Sequence, residues 1–417
     1  MRHVIAYIAV CLMACLGASV SFAAEPVSLK DLLAEALSNN PDLRSMRERV
    51  RGMEAGVRAE GAFEDPWLKV EMEDLDRRHP LTTGPGNAMQ TRYTVSQTFP
   101  FPGKLALKER MASKGAAAAK AGLEARALET AALVKKAWFE LAFLSASSAI
   151  NSELAGVFSY MAEITETRYS TGLAAQQDVI KARIEEAMLT GDAISIGAER
   201  EAALARLRYL LGRPDGPALD LSPELTDERP AFATDELVDK AIAKNPEIRE
   251  MEYSAESEEA SAELSRKNYY PDLMAGVAPI QRDGRFDTYD VMVQVNIPLW
   301  LGKNASRAAA AAGNAIAQRS ALLAAKRRKA AEVREAAIEV EAGDKMLTLY
   351  STGILPQSRA AFDSAFANYQ AGTIDFLALL DAERVLKKTR LDYARTLLEY
   401  RKKVAVLEKT IGEDFLY

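Results

Sequence analysis

This sequence is written twice. Residues 32–44 (LLAEALSNNPDLR) return as residues 237–249 (LVDKAIAKNPEIR), 205 positions on. Phe99-Pro100 followed by Gly103-Lys104 returns as Ile297-Pro298 followed by Gly302-Lys303. Tyr169-Ser170-Thr171-Gly172 returns as Tyr369-Gln370-Ala371-Gly372, and Leu211-Gly212 as Ile411-Gly412, both 200 positions on. Matches in one order at nearly one spacing make the chain two copies of a single unit. The units span residues 24–212 and 234–412, with a Pro-containing linker at 213–233 and a tail at 413–417.

Each unit reads as the same series of elements. A helix of about 35 residues (29–63, then 234–267) comes first. Two short strands follow, then a very long helical run, a tight turn at the Tyr-x-x-Gly, and a last helix. The long runs, 104–168 and 303–368, would each extend about 98 Å at 1.5 Å per residue. Helices of that length need coiled-coil-like partners. Val134, Trp138, Leu141, Ser145 and Ser148 form the stripe expected in the first run, flanked by Lys135, Lys136 and Glu140. Alanine runs and only 7% aromatic residues fit close helix packing. Pro356 should bend the second run, and Gly156 marks an easy bend in the first.

Residues 1–23 read as a secretory leader. Arg2 and His3 are followed by an apolar stretch and by small residues up to Ala23. The segment Leu12-Met13-Ala14-Cys15 offers a second reading, in which Cys15 becomes a lipidated N-terminus; cleavage after Ala23 is the preferred one. Both cysteines, Cys11 and Cys15, fall inside the leader, so the mature chain would hold no disulfide and no thiol ligand. No other stretch reads as a membrane-spanning helix.

The four strands, 66–74, 88–98, 272–281 and 286–297, are each about ten residues long, enough to cross a bilayer at a tilt. Leu68, Val70 and Met72 alternate with Lys69, Glu71 and Glu73. Tyr289, Val291, Val293 and Val295 alternate with polar neighbours in the fourth strand, whereas the third alternates poorly. Trp67, Phe99, Tyr269, Tyr270 and Trp300 all fall at the helical end of the hairpins, where a membrane-interface belt belongs. Ordinary amphipathic hairpins packed on helices would share the pattern; the leader favours the membrane. Four strands cannot close a barrel, and an open edge in lipid leaves backbone groups unpaired at several kcal/mol each. Insertion therefore requires several copies of the chain.

The layout and motifs resemble the TolC-type outer-membrane efflux protein family, also called outer membrane factors. The likeness rests on the doubled Asn-Pro-[Asp/Glu] segment, on residues 96–104 (SQTFPFPGK), and on residues 369–382 (YQAGTIDFLALLDA). The Phe-Pro-Phe-Pro-Gly-Lys form is similar to the heavy-metal branch of the CzcC and CusC kind. The resemblance implies a mainly α fold with a small β part. Long antiparallel helices would form a periplasmic α-barrel in a homotrimer, and four transmembrane strands per protomer would contribute to a shared twelve-stranded β-barrel in outer-membrane lipid. It implies docking on a periplasmic adaptor (membrane fusion) protein and an inner-membrane RND-type transporter. The function it implies is passive export, with heavy-metal cations as cargo by the branch likeness. Alternatives are the outer-membrane channel of a type I protein secretion system and a periplasmic coiled-coil protein without a pore.

Two sets of residues carry expected roles under this resemblance. Tyr169, Gly172 and Leu173, with Tyr369, Gly372 and Thr373, form the helix turns that would meet the adaptor. Each glycine permits the backbone conformation that reverses a helix sharply. Asp381 matches a position where acids from three protomers ring the pore. Asp178 stands at the equivalent site of the first repeat, with Lys181 opposite Asp381, so either a charged ring or a salt-bridged closure fits. A second acid one turn before Asp381 is replaced by Ala378.

Other classes fit poorly. A net charge of −6 and a pI near 5.4 disfavour nucleic acid as partner. With His79 as the one histidine beyond the leader, and no phosphate loop, nucleophile elbow or ligand cluster, the sequence implies neither an enzyme nor a cofactor.

Overall fold

A computed structural model describes residues 27–75, 88–214, 221 and 223–413. The expected leader with Cys11 and Cys15, residues 76–87 with His79, and residues 414–417 lie outside the described residues.

The opening helix of each repeat is two helices rather than one. Helix α1 (Leu29–Asn39) stops one residue before α2 (Pro41–Glu60). In the second repeat α5 (Thr234–Lys244) and α6 (Pro246–Lys267) break at the same motif. Proline disfavours helical backbone in the residue before it and suits the first position of a new helix. Asn40 caps that new helix, its side-chain oxygen accepting from the Asp42 and Leu43 amides. Its amide nitrogen donates to the Leu210 carbonyl at 3.0 Å, and Asn245 donates likewise to Thr410 at 2.7 Å. The repeated Asn-Pro and Leu-Gly motifs therefore meet: each asparagine ties down the end of its own repeat's last helix. Gly212 lies so close to this joint that a Cβ there would stand 2.7 Å from the Asn39 carbonyl oxygen.

Helix α3 (Lys104–Ser170) runs 67 residues without a break, about 100 Å. The helix is not interrupted at Gly156, because glycine weakens a helix while leaving its backbone hydrogen bond available. Its counterpart is interrupted. Helix α7 (Leu301–Leu349) passes through a π-helical turn, Tyr350–Ile354, into α8 (Leu355–Gln370). Pro356 has no amide to donate and its ring crowds the preceding turn, so the helix widens there. The last helices, α4 (Gln176–Leu210) and α9 (Phe376–Ile411), return antiparallel to the long ones.

Between the helices lies one antiparallel sheet: β1 (Trp67–Leu75), β2 (Ala88–Phe99), β3 (Leu273–Arg282) and β4 (Arg285–Val295), in that order. Strands β2 and β3 pair across the two repeats, so both hairpins share one sheet. Asp283 and Gly284 both have positive φ and turn the second hairpin in two residues.

The helical core is built in matching halves. Leu29, Leu32 and Leu33 pack with Val134, Trp138 and Leu141 of α3 and with Leu204 and Leu207 of α4. Leu237, Val238 and Ala241 pack with Val333, Ala337 and Val340 of α7 and with Val404 and Leu407 of α9. Contrary to the sequence reading, one 18-residue window of α3 reaches a mean hydropathy of 1.2, membrane-like by composition. Of that window 44% is buried: Leu141 and Leu144 pack in the core with α1 and α4, and Ile150, Leu154 and Phe158 pack in the cluster nearer the tip. The halves are joined by the buried Lys135–Glu408 pair at 2.7 Å, between α3 and α9.

Candidate functional site

The register sorts the sheet into two unlike faces. Leu68 lies opposite Val95, Val95 opposite Val277, and Val277 opposite Val291. With Val70, Leu273, Val293 and Val295 these side chains form an apolar face that is exposed across all four strands. The other face is polar: Lys69 pairs with Glu71 at 2.5 Å, and Arg92 reaches both Glu73 and Asp290. Pairing also settles the third strand, whose alternation is unclear in sequence. Leu273, Ala275 and Val277 share the apolar face, and Ala278 and Ile280 lie buried on the other. Strands β1 and β4 are the edges, each with one neighbour. Such a sheet suits lipid on one side and water on the other, but its open edges do not.

All five belt aromatics lie at the helical end of this sheet. Phe99 faces the apolar side, opposite Leu273. Trp67 does not: it alternates with Leu68 and so shares the polar face of Lys69 and Glu71. Tyr270 stacks on Phe101 at 4.4 Å between ring centres, whereas Trp300 is 78% exposed.

The Phe-Pro-Phe-Pro-Gly-Lys motif forms the joint between sheet and helix. Lys104 is buried and donates to Asp272 Oδ1 at 2.8 Å and to the Tyr270 carbonyl at 3.2 Å. Asp272 also accepts from the Phe101 amide, and its own amide donates to Asn296. Lys267 donates to the Pro102 carbonyl and covers the Phe101 ring. A lysine, an acid and stacked aromatics thus fix the angle at which β2 leaves the sheet and β3 enters it.

At the far end the long helices reverse. Gly172 and Gly372 have φ of +75° and +76°, the left-handed conformation that lets the next amide reach back. Leu173 donates to the Arg168 carbonyl at 2.7 Å and Thr373 to Asn368 at 2.9 Å. The two turns are not equivalent. Tyr369 is 4% exposed, while Tyr169 is 46% exposed. The Tyr369 hydroxyl lies 3.0 Å from Thr165 Oγ1, and Arg168 donates to the Tyr369 carbonyl at 2.7 Å. Tyr369 therefore clamps the second turn to the first, leaving Tyr169 and Leu173 outward.

The expected gate residues are not tied together. Asp381 is exposed on α9, Asp178 and Lys181 are half-buried on α4, and no hydrogen bond or ion pair joins them among the described residues. The charges that bridge these helices lie further from the tip: Arg384 pairs with Glu185, and Lys387 with Asp192 at 2.7 Å. They span a groove of about 490 Å³ whose lining includes Ile150, Asn151, Met188 and Leu391. Beside them Glu383 is 1% exposed, and Oε1 lacks a hydrogen-bond partner. Burial pushes its carboxyl up to about 7; Lys387 opposes the shift, Glu185 adds to it and Arg384 opposes it. Sequence reasoning missed Glu185 and Glu383. The signal was present: Phe376, Leu379, Leu380, Glu383 and Leu386 form a three-and-four-spaced stripe with an acid inside it.

The family model for "Outer membrane efflux protein" matches residues 32–213 and 237–413. The cobalt-zinc-cadmium resistance protein CzcC of Cupriavidus metallidurans is 21% identical over 391 residues, covering 94% of this chain and 91% of that protein. The solved outer-membrane channel OprN superposes with a TM-score of 0.79 at 21% identity, over 93% of this chain and 90% of that one. CusC, whose structures address folding and transmembrane channel formation, gives 0.77 at 19% identity, over 93% and 92%.

Proposed function

The chain belongs to the outer membrane efflux protein family, and on that premise we propose that it is the exit duct of a tripartite efflux pump. It is an outer-membrane protein of Gram-negative type whose helices extend into the periplasm. The observation that carries the reading is the four-stranded sheet, apolar and exposed on one face, open at both edges and joined to helices about 100 Å long. A lipid-facing sheet must pair every backbone group, so three copies would contribute twelve strands to one closed wall. The helices of the same three copies would enclose a periplasmic passage continuous with the barrel. A coiled-coil rod without a pore leaves the apolar face of the sheet without a role.

The glycine turns are the surface offered to the rest of the pump. Tyr169, Gly172 and Leu173, with Gly372 and Thr373, would meet the periplasmic adaptor, while buried Tyr369 would hold the paired turns in shape. Asp381, exposed and with no ion pair among the described residues, would line the entrance, where like charges from three copies repel and favour cations. Cobalt, zinc and cadmium are named for the relative CzcC, and divalent metal cations are the cargo proposed here. An inner-membrane RND-type transporter would supply the energy, the duct being passive.

Deletion of the gene in a strain expressing the pump tests this directly. Sensitivity to divalent metals should rise and return to normal on complementation. Unchanged sensitivity to metals and drugs alike would refute the efflux reading.

A further inference from the structure

Because the chain is a repeat, a seam between its halves has a counterpart between copies. In a closed ring the order of strands is β1, β2, β3, β4, then β1 of the next copy. The β2–β3 seam joins the second strand of one repeat to the first strand of the other. The junction of β4 with the next β1 does the same with the repeats exchanged. The inner seam is complete in one chain, and the outer seam has only its two separate halves.

Those halves carry the same kinds of groups, unsatisfied. Lys104 is buried against Asp272 and the Tyr270 carbonyl. Its repeat partner Lys303 is exposed and has no ion pair among the described residues. Phe101 is stacked on Tyr270, whereas Trp300 after the matching Ile297-Pro298 stands bare. On the other side Tyr270-Pro271-Asp272 corresponds to Asp65-Pro66-Trp67. The acid and the aromatic have changed places about the proline, so one of each is still offered. Asp65 and Trp67 are both exposed, and Asp65 has no ion pair among the described residues.

We propose that Lys303 and Trp300 of one copy close on Asp65 and Trp67 of the next, reproducing between copies the joint seen within the chain. The proposal rests on the closed-ring reading above and specifies its register. Phe99 lies opposite Leu273 and Gln97 opposite Ala275 in the inner seam. Carried over through the matched prolines, Ile297 lies opposite Leu68, Val295 opposite Val70 and Val293 opposite Met72. Every one of these pairs joins apolar face to apolar face. A slip of one residue would set Val295 against Glu71 and turn β1 inside out.

The test uses the protein in isolated outer membranes with Cys11 and Cys15 both replaced by alanine, so that introduced cysteines stand alone. Val70→Cys with Val295→Cys should form disulfides on oxidation with copper phenanthroline. Covalent dimers and trimers should appear on denaturing gels and vanish on reduction. Glu71→Cys with Val295→Cys should cross-link at least tenfold less. Separately, Lys303→Glu should lower the temperature at which the native oligomer dissociates, and adding Asp65→Lys should restore it. A trimer in which the slipped pair links better, or in which the charge exchange restores nothing, overturns this inference and leaves the duct intact. A protein that is a single chain before oxidation overturns the closed-ring reading itself.

Discussion

Glu383 should make this protein less stable as pH rises, and its replacement by glutamine should remove that loss. The carboxyl is nearly wholly buried in the stripe that α9 presents to the core near the tip, and burial raises its pKa from 4.5 to about 7. Charged neighbours are Lys387 and Arg384 on its own helix and Glu185 on α4. Well below pH 4, the group is neutral both folded and unfolded and has no effect on the balance. Between pH 4.5 and 7 the unfolded chain gives up the proton while the folded one keeps it, so stability falls. Above pH 7 the loss is complete, about 3 kcal/mol at 1.36 kcal/mol per pKa unit. Glu383→Gln stays neutral throughout. Thermal unfolding in detergent should therefore show the variant more stable than the natural protein at pH 8, with the gap reduced to about a quarter at pH 5. An equal gap at both pH values would refute the reasoning, because a packing effect alone does not titrate.

Lys104→Ala should destabilise the joint between sheet and helix by about 3 kcal/mol, since it strands Asp272 and frees the Tyr270 carbonyl; thermal unfolding of the detergent-solubilised protein checks this. Gly372→Ala should cost about 1–2 kcal/mol, because an L residue is strained at φ +76° and the new Cβ would stand 3.2 Å from Arg168 Nη2; Gln370→Ala, on a helical backbone next to the turn, should cost far less. Asp381→Ala should reduce cation selectivity in planar bilayers, and unchanged selectivity would remove Asp381 from the entrance.

Much of this architecture is legible in the sequence because a repeat reports its elements twice. The strand bounds agree with the structure to within two residues, and the Pro356 interruption is where proline chemistry puts it. The break at Asn40-Pro41 was missed because the apolar spacing runs on across it; the proline signal was local and the periodicity was not. Trp67 was assigned to the belt from its place along the chain, yet which face it occupies follows only from pairing with Ser96. Near the proposed entrance the sequence marked the acids by position. It could not tell that Arg384 and Lys387 cross to α4, because a bridge between helices almost 200 residues apart leaves no mark in either one's periodicity.

The central claim is that one chain supplies only part of a pore wall. Native mass spectrometry of the protein extracted from outer membranes in mild detergent measures this without further assumption. The account predicts a single species of three times the chain mass. A stable species of one chain mass, with its sheet edges unpaired, would contradict it.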